Sequence, residues 1–309
     1  MKETRVTIGM PVFNDVLFIE KSIKSILSQT FRDFILIISD DGSTDGSELI
    51  CKKYEELDSR VRYIRQPENL GISRNMQHLL SLAETPYFMW AGDDDLMDET
   101  FVEKLYNALE NNPNAVSAFS TCALIDEDET VIKEIDTDYA EPRRNKRLKH
   151  FIRKDTDYFG YGMFRTEKIS GVEFPVWWWP NKKTPYNNIY PTLAYYLAKG
   201  DYVHVYDKPL FFKRIKSTSN TNHLLVGRGN GLSESFAFWI RKFNLVVFTM
   251  RQIRHGARFL FSLRHLPALF WFWFVVPSWK QLKLALGAMI GKLIRSDWIR
   301  HNTNNTHKQ

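Results

Sequence analysis

Apolar positions recur along the first part of the chain with two alternating periods. Residues 6–10 form a short apolar, β-branched run, which predicts a strand. Residues 18–29 then place Phe18, Ile19, Ile23, Ile26 and Leu27 on one face at helical spacing. Residues 34–39, FILIIS, are continuously apolar between charged neighbours, the pattern of a strand buried on both faces of a parallel sheet. The alternation continues with a helix at 45–57, which Asp45 or Ser43 can cap, a strand at 61–64 and a helix at 71–82. It ends with a strand at 87–90, a helix at 99–111 stopped by Asn112-Pro113, and a strand at 115–124. Such regular alternation predicts an α/β protein with a doubly wound, mostly parallel sheet. In these sheets ligands bind beyond the carboxyl ends of the strands.

The pattern changes after residue 125. Residues 126–160 are polar, with a basic knot RRNKRLK at 143–149 that reads as a solvated loop or as a contact for an acceptor or a membrane. Residues 161–235 return to a mixed pattern that includes the Trp-rich stretch PVWWWP at 175–180. From residue 236 the chain is helical in pattern, basic and aromatic. Residues 236–309 carry twelve Lys and Arg against the single acid Asp297, a balance of +11 that leaves −5 for residues 1–235 of a chain with net charge +6. Arg251, Arg254 and Arg258 fall on one helical face, and residues 266–279 are uncharged, with two prolines. That run is short of the roughly 20 apolar residues a membrane span needs. Trp and Phe flanked by Lys and Arg suit an interface instead, so the extension is expected to lie on an anionic membrane surface. The alternative is a helical cap on the domain.

Cys51 and Cys122 are the two cysteines, each within a predicted element, so both are expected to be buried thiols, and no disulfide or zinc spacing exists. The amino end shows no signal-peptide apolar stretch, so the chain is expected to stay in the cytoplasm, and the basic-aromatic extension is expected to hold it peripherally on the inner face of the cell membrane. The 44% apolar and 25% charged content is ordinary for a globular protein. The basic tail alone does not make a nucleic-acid binder, because no nucleic-acid module accompanies it.

Three loops at the carboxyl ends of predicted strands carry polar groups. Phe13 and Asn14 follow the first strand, Asp40 and Asp41 the second, and Asp93, Asp94 and Asp95 the one at 87–90. In SDDGSTD (39–45), Gly42 permits a tight turn, and a carboxylate there can accept from the N3–H of a uracil-type base. In NLGISRN (69–75), Arg74 lies in the first turn of a helix, where a cation opposes the helix dipole and makes sense facing an anionic or base-edge ligand. Side chains alternate along an extended segment, so Asp93 and Asp95 are expected on one side and Asp94 on the other. Two hard carboxylates suit Mg²⁺ or Mn²⁺, with Asp94 left to face a ribose hydroxyl.

PVFND (11–15), SILSQTF (25–31), FILIISDDGSTD (34–45), ENLGISRN (68–75) and FMWAGDDDL (88–96) resemble, in order and spacing, the inverting family 2 glycosyltransferases of GT-A fold. The resemblance covers roughly residues 5–125. It implies a GT-A type sheet (Rossmann-like), a donor-binding half at 1–125, an acceptor-binding half at 126–235 and the extension at 236–309. It implies a nucleotide-diphosphate-sugar donor, UDP-sugar favoured, and a glycan or lipid-linked acceptor in cell-surface glycan biosynthesis. By position, Asp41 would hold the base, Pro11, Phe13 and Asn14 would line the nucleotide pocket, and Arg74 would approach base or phosphate. Asp94 would serve the ribose, and Asp95, with Asp93, the Mn²⁺ or Mg²⁺. His223 is a further metal candidate. The family supplies a catalytic base from its second half, and counting back from Gly200 reaches Asn187-Asn188, where no acid stands. Glu173, Asp201 and Asp157 are the remaining candidates. Without a base the chain would be a donor-binding partner of another transferase. A sugar nucleotidyltransferase would want a Gly-rich, basic loop where this chain has PVFND.

Overall fold

The computed structural model describes residues 4–135, 139–154, 158–174, 176–178, 185–187, 189–206 and 208–216, and beyond them only 247, 249–251 and 266–267. The first half runs β1 (Val6–Val12), α1 (Ile19–Leu27), β2 (Phe34–Asp40), α2 (Ser47–Leu57), β3 (Val61–Arg65), α3 (Ile72–Ser81), β4 (Tyr87–Trp90), β5 (Leu96–Met97), α4 (Phe101–Glu110) and β6 (Ala115–Ser120). There follow β7 (Cys122–Ile125), β8 (Val131–Ile135), α5 (Arg144–Lys154), β9 (Met163–Arg165), α6 (Thr166–Ile169), β10 (Val176–Trp178), β11 (Pro185–Asn187), α7 (Tyr190–Lys199), β12 (Asp201–Val205) and β13 (Phe211–Arg214).

The main sheet has the order β12-β6-β9-β4-β1-β2-β3. Pairs β1–β2, β1–β4, β2–β3 and β6–β12 are parallel, and β9 runs antiparallel between β4 and β6. The doubly wound, mostly parallel expectation therefore holds. Burial follows the pleat. Val6, Ile8, Met10 and Val12 of β1 face a core shared with α1, α2 and α4, while Phe88 and Trp90 of β4 face a second core shared with α3, α5 and α7. A sheet covered on both faces needs apolar strands throughout, which is why FILIIS shows no alternation.

Two expectations need correction. The apolar run 115–124 is two strands, broken at Thr121. β6 pairs with β9 and β12 in the main sheet, whereas β7 pairs with β13 and β8 in a second sheet of order β5-β13-β7-β8. Hydropathy does not register a change of pairing partner. The basic knot is largely the start of α5 rather than a solvated loop. Arg147 is buried there, donating from Nε to the Leu197 carbonyl at 3.0 Å and from Nη1 to the Glu141 carbonyl at 2.6 Å. Its stem and guanidinium are thus used in packing α5 beside α7.

The Trp-rich stretch contributes β10, which forms an antiparallel hairpin with β11. Cys51 and Cys122 are free and buried, and burial pushes the Cys51 thiol up to about 12, so it is inert at neutral pH. Among the described residues no helix is long and apolar enough to cross a membrane. The expected membrane-associating extension lies almost wholly outside the described residues.

Candidate functional site

The carboxyl ends of β1, β2 and β4 open on one cleft, as the parallel topology requires. Its volume is about 520 Å³. Asp41, Asn75, Asp93 and Asp94 bring polar groups to its lining, beside Pro11 and Phe13. Trp90, Tyr161, Phe174, Leu193 and Tyr196 supply an aromatic and apolar part.

The loop after β1 is stitched to the loop after β2. The Asn14 amide donates to Ser43 Oγ at 3.0 Å, and Asn14 Oδ1 accepts from the Thr44 amide at 2.8 Å. The Asp15 amide donates to Ser47 Oγ at 3.0 Å, and the Val16 amide to Asp45 Oδ2 at 2.8 Å. Asn14 holds a positive φ of 54°, which Asn tolerates better than most residues. Its side chain is spent on the loop, and it is not among the residues lining the cleft. Phe13 is 48% exposed at the rim.

The two acids after β2 divide their roles. Asp40 is fully buried and structural, accepting from the Ser43 amide at 2.8 Å, Tyr63 Oη at 2.7 Å and Arg65 Nη1 at 3.1 Å. Asp41 lines the cleft, 3% exposed, and accepts from the amides of Leu70 at 2.7 Å and Gly71 at 2.9 Å. Burial raises its pKa, opposed by those two N–H donors. Gly71 adopts φ 80° at the start of α3, a conformation open to glycine. Beneath lies a closed polar network. Asn75 Nδ2 donates to the Ser39 carbonyl at 2.8 Å, and Gln66 Nε2 donates to Ser39 Oγ at 2.9 Å. Arg74, expected near the donor, is exposed on α3 and is not among the lining residues.

The triple acid is arranged differently from the alternation expected of it. Residues 93 and 94 are bends rather than extended strand, so alternation fails. Asp95 turns inward, 4% exposed, and its Oδ1 accepts from the Arg214 amide at 2.9 Å. A Cβ on Gly92 would overlap the Asp95 carboxylate, so glycine there makes room for this turn. Asp93 and Asp94 instead converge with Asp15, one carboxylate oxygen of each lying within 4.8 Å of the others. Lys216 bridges two of them, with Nζ 2.6 Å from Asp15 Oδ2 and 2.8 Å from Asp94 Oδ2. Burial raises the Asp93 pKa well above the ordinary range, and the charges of Asp15 and Asp94 add to it. Burial likewise raises that of Asp15, against the pull of Lys216.

Sequence reasoning did not single out Asp15 or Lys216 as site residues. Asp15 stood in the PVFND motif as a fifth letter. Lys216 follows β13, and only the pairing of β13 with β5 and β7 brings it to the acids.

Of the base candidates, Asp201 is ruled out by topology. It begins β12, which runs parallel with β6, so it lies at the opposite end of the sheet from the cleft, 3.5 Å from Arg147. Glu173 neighbours the cleft-lining Phe174, its carbonyl accepts from Thr192 Oγ1 at 3.1 Å, and its Oε1 lies 3.3 Å from Arg251 Nη2. Asp157, Asn188 and His223 lie outside the described residues, as does the side chain of Asn187.

The sequence profile of Glycosyl transferase family 2 matches residues 7–171, more than half of the chain. The chain belongs to this family. The match includes all three cleft loops. Glycosyltransferase GlyA of Streptococcus pneumoniae is 34% identical over 107 residues, 35% of this chain and 15% of GlyA. The GalNAc(5)-diNAcBac-PP-undecaprenol beta-1,3-glucosyltransferase of Campylobacter jejuni is 24% identical over 197 residues, 63% of each chain. The chain thus spans less than two thirds of the length of either relative. Among solved structures, S. aureus TarS 1-349 in complex with UDP-GlcNAc superposes with a TM-score of 0.61 at 12% identity, covering 88% of this chain and 73% of that one. That likeness establishes the fold, with the mostly parallel sheet as its common frame.

Three carboxylates within 4.8 Å offer the hard oxygen donors that Mg²⁺ or Mn²⁺ takes. An ammonium already bridges two of them, which shows that the geometry accepts positive charge.

Proposed function

We propose that the protein transfers a sugar from a nucleotide-diphosphate donor, UDP-sugar favoured, to a lipid-linked or polysaccharide acceptor, with inversion at the sugar carbon. The observation that carries the reading is that Asp41 and the Asp93–Asp94 pair line one cleft, at the edge where parallel sheets bind ligands. Asp41 would accept from the base N3–H, with Asn75 and Gly71 beside it. Asp15, Asp93 and Asp94 would hold Mn²⁺ or Mg²⁺, and Asp95 would buttress them through Arg214. When bound, the cation neutralises charge developing on the leaving nucleoside diphosphate. The apolar part of the lining, with Trp90, Phe174 and Leu193, would receive donor sugar and acceptor and exclude water. Uridine is supported by TarS, which binds UDP-GlcNAc, and a lipid-linked acceptor by the Campylobacter relative, whose name specifies one.

Inversion in one step needs a base to take the acceptor proton. Of the two candidates among the described residues, Glu173 is the one beside the cleft, with Arg251 Nη2 3.3 Å from its carboxylate. A donor-binding partner without turnover is the second reading. It is favoured by the acids lining the cleft, which among the described residues are Asp41, Asp93 and Asp94, all engaged otherwise.

Thermal shift of the full chain with UDP and UDP-sugars, with and without Mn²⁺, followed by a transfer assay, tests both. UDP should raise the melting temperature, and more so with Mn²⁺. No shift with any nucleoside diphosphate overturns the donor site. Glu173→Gln should lower kcat by about a hundredfold or more while UDP affinity is retained. Binding without turnover in the unaltered protein would favour the partner reading.

A further inference from the structure

The acid cluster already contains a cation, and it belongs to the chain. Lys216 Nζ lies between Asp15 Oδ2 at 2.6 Å and Asp94 Oδ2 at 2.8 Å. Asp93, the third carboxylate, accepts instead from the Phe13 amide at 3.3 Å. One ammonium against three carboxylates leaves the cluster short of positive charge.

The root of Lys216 is fixed by bonds separate from those its tip makes. Two residues earlier, Arg214 Nε donates to the Asp94 carbonyl at 2.9 Å, and its Nη1 donates to the carbonyls of Asp126 at 3.0 Å and Glu127 at 2.9 Å. Its amide holds Asp95. Phe18 lies under both cations, 4.6 Å from the Arg214 guanidinium carbon and 5.3 Å from Lys216 Nζ. The backbone is clamped by these bonds, but a lysine stem is flexible. The ammonium can therefore leave the acids while staying beside them.

We propose that Lys216 is the resident occupant of the divalent-cation position: it competes with the metal for Asp15 and Asp94 and, once displaced, donates to the diphosphate of the donor. The proposal rests on the reading of the cleft as a nucleotide-diphosphate site. Displacement without a new partner strands a charge beside a metal, which opposes metal binding. With a diphosphate present the ammonium gains an anion to pair with. Metal and nucleotide therefore bind cooperatively, each favouring the other by the same factor. The effect is to keep the cation out of the enzyme until the donor arrives.

The test is Mn²⁺ binding to the full chain, read as loss of the free-ion electron paramagnetic resonance signal, for the wild type, Lys216→Met and Lys216→Gln, with and without UDP. Circular dichroism and cooperative unfolding establish that each variant is folded, and two substitutions guard against the loss of one. Without nucleotide, a folded variant should bind Mn²⁺ at least about tenfold more tightly than the wild type, since a competing charge at contact distance is gone. The enhancement of Mn²⁺ affinity by UDP should be large in the wild type and shrink in the variants. Mn²⁺ affinity that is unchanged or weaker in folded variants overturns the proposal, including the case in which no form binds Mn²⁺. UDP titration separates the two levels. UDP binding with unaltered Mn²⁺ affinity defeats the lysine assignment alone, whereas failure of UDP to bind any form defeats the donor site itself.

Discussion

Asp41, the carboxylate proposed to hold the base, also has a structural job. Its oxygens already accept from the Leu70 and Gly71 amides, so it sets the entrance to α3 before any ligand arrives. Asp41→Asn keeps the size but turns one oxygen into an N–H₂ group, which faces a backbone N–H it cannot accept from. Leaving that buried donor unpaired should cost about 1–3 kcal/mol of stability, measurable by urea unfolding, and should weaken UDP binding as well. Stability that falls with UDP affinity unchanged would confine Asp41 to the structural role. Asp98 shows how a carboxylate outside the cleft sets acid tolerance. Burial disfavours its charge, but Lys208 at 2.7 Å and the Thr100 hydroxyl and amide outweigh this and hold its pKa at about 2. A depressed folded-state pKa contributes stability above the unfolded value of about 4 that is lost as pH falls from about 4 towards 2. With Lys208 mostly exposed, the contribution is roughly 1–2 kcal/mol. The gap in unfolding free energy between wild type and Asp98→Asn should narrow across that range. A constant gap would mean the ion pair contributes nothing.

At the scale of elements, the eight from β1 to α4 other than β5 were legible because each buries a face whose period is written in the sequence. Boundaries moved by a residue or two, and β5 was not anticipated because two residues carry no period. The second half was read poorly, for a common reason. β8 has exposed residues at four of its five positions, so it has no apolar period to find, and β9 is a three-residue antiparallel insertion. What makes β9 possible is close approach: a Cβ on Gly162 would overlap the Ala118 carbonyl oxygen, a backbone atom that cannot swing aside. Gly162→Ala should therefore shift the β6–β9 pairing and lower stability by about 1–3 kcal/mol. An unfolding midpoint equal to wild type would show that the junction relaxes freely. The same element-level blindness explains the site. The triple acid was found, but its partition was not, because bends at 93 and 94 replaced the strand geometry on which alternation depends.

Across the whole molecule, charge is divided by position, with −5 on residues 1–235 and +11 on residues 236–309. A basic, Trp- and Phe-rich extension is expected to bind anionic vesicles through screened attraction plus interfacial anchoring. The full chain should co-sediment with vesicles containing anionic lipid, less so with zwitterionic ones, and be released in part by high salt. Failure to co-sediment with either vesicle type would favour a cap on the domain instead. The sequence alone determined the α/β alternation, the three loops at one sheet edge and the family, because each rests on local period or on residue type at fixed spacing. Tertiary structure decided which acids meet. Asp15 and Asp94 are 79 positions apart, and Lys216 is farther still, so no local pattern links them. The parallel order of β1 and β4 and the return of β13 beside β5 and β7 bring those charges to contact distance, and that convergence is a property of the chain's path rather than of any segment.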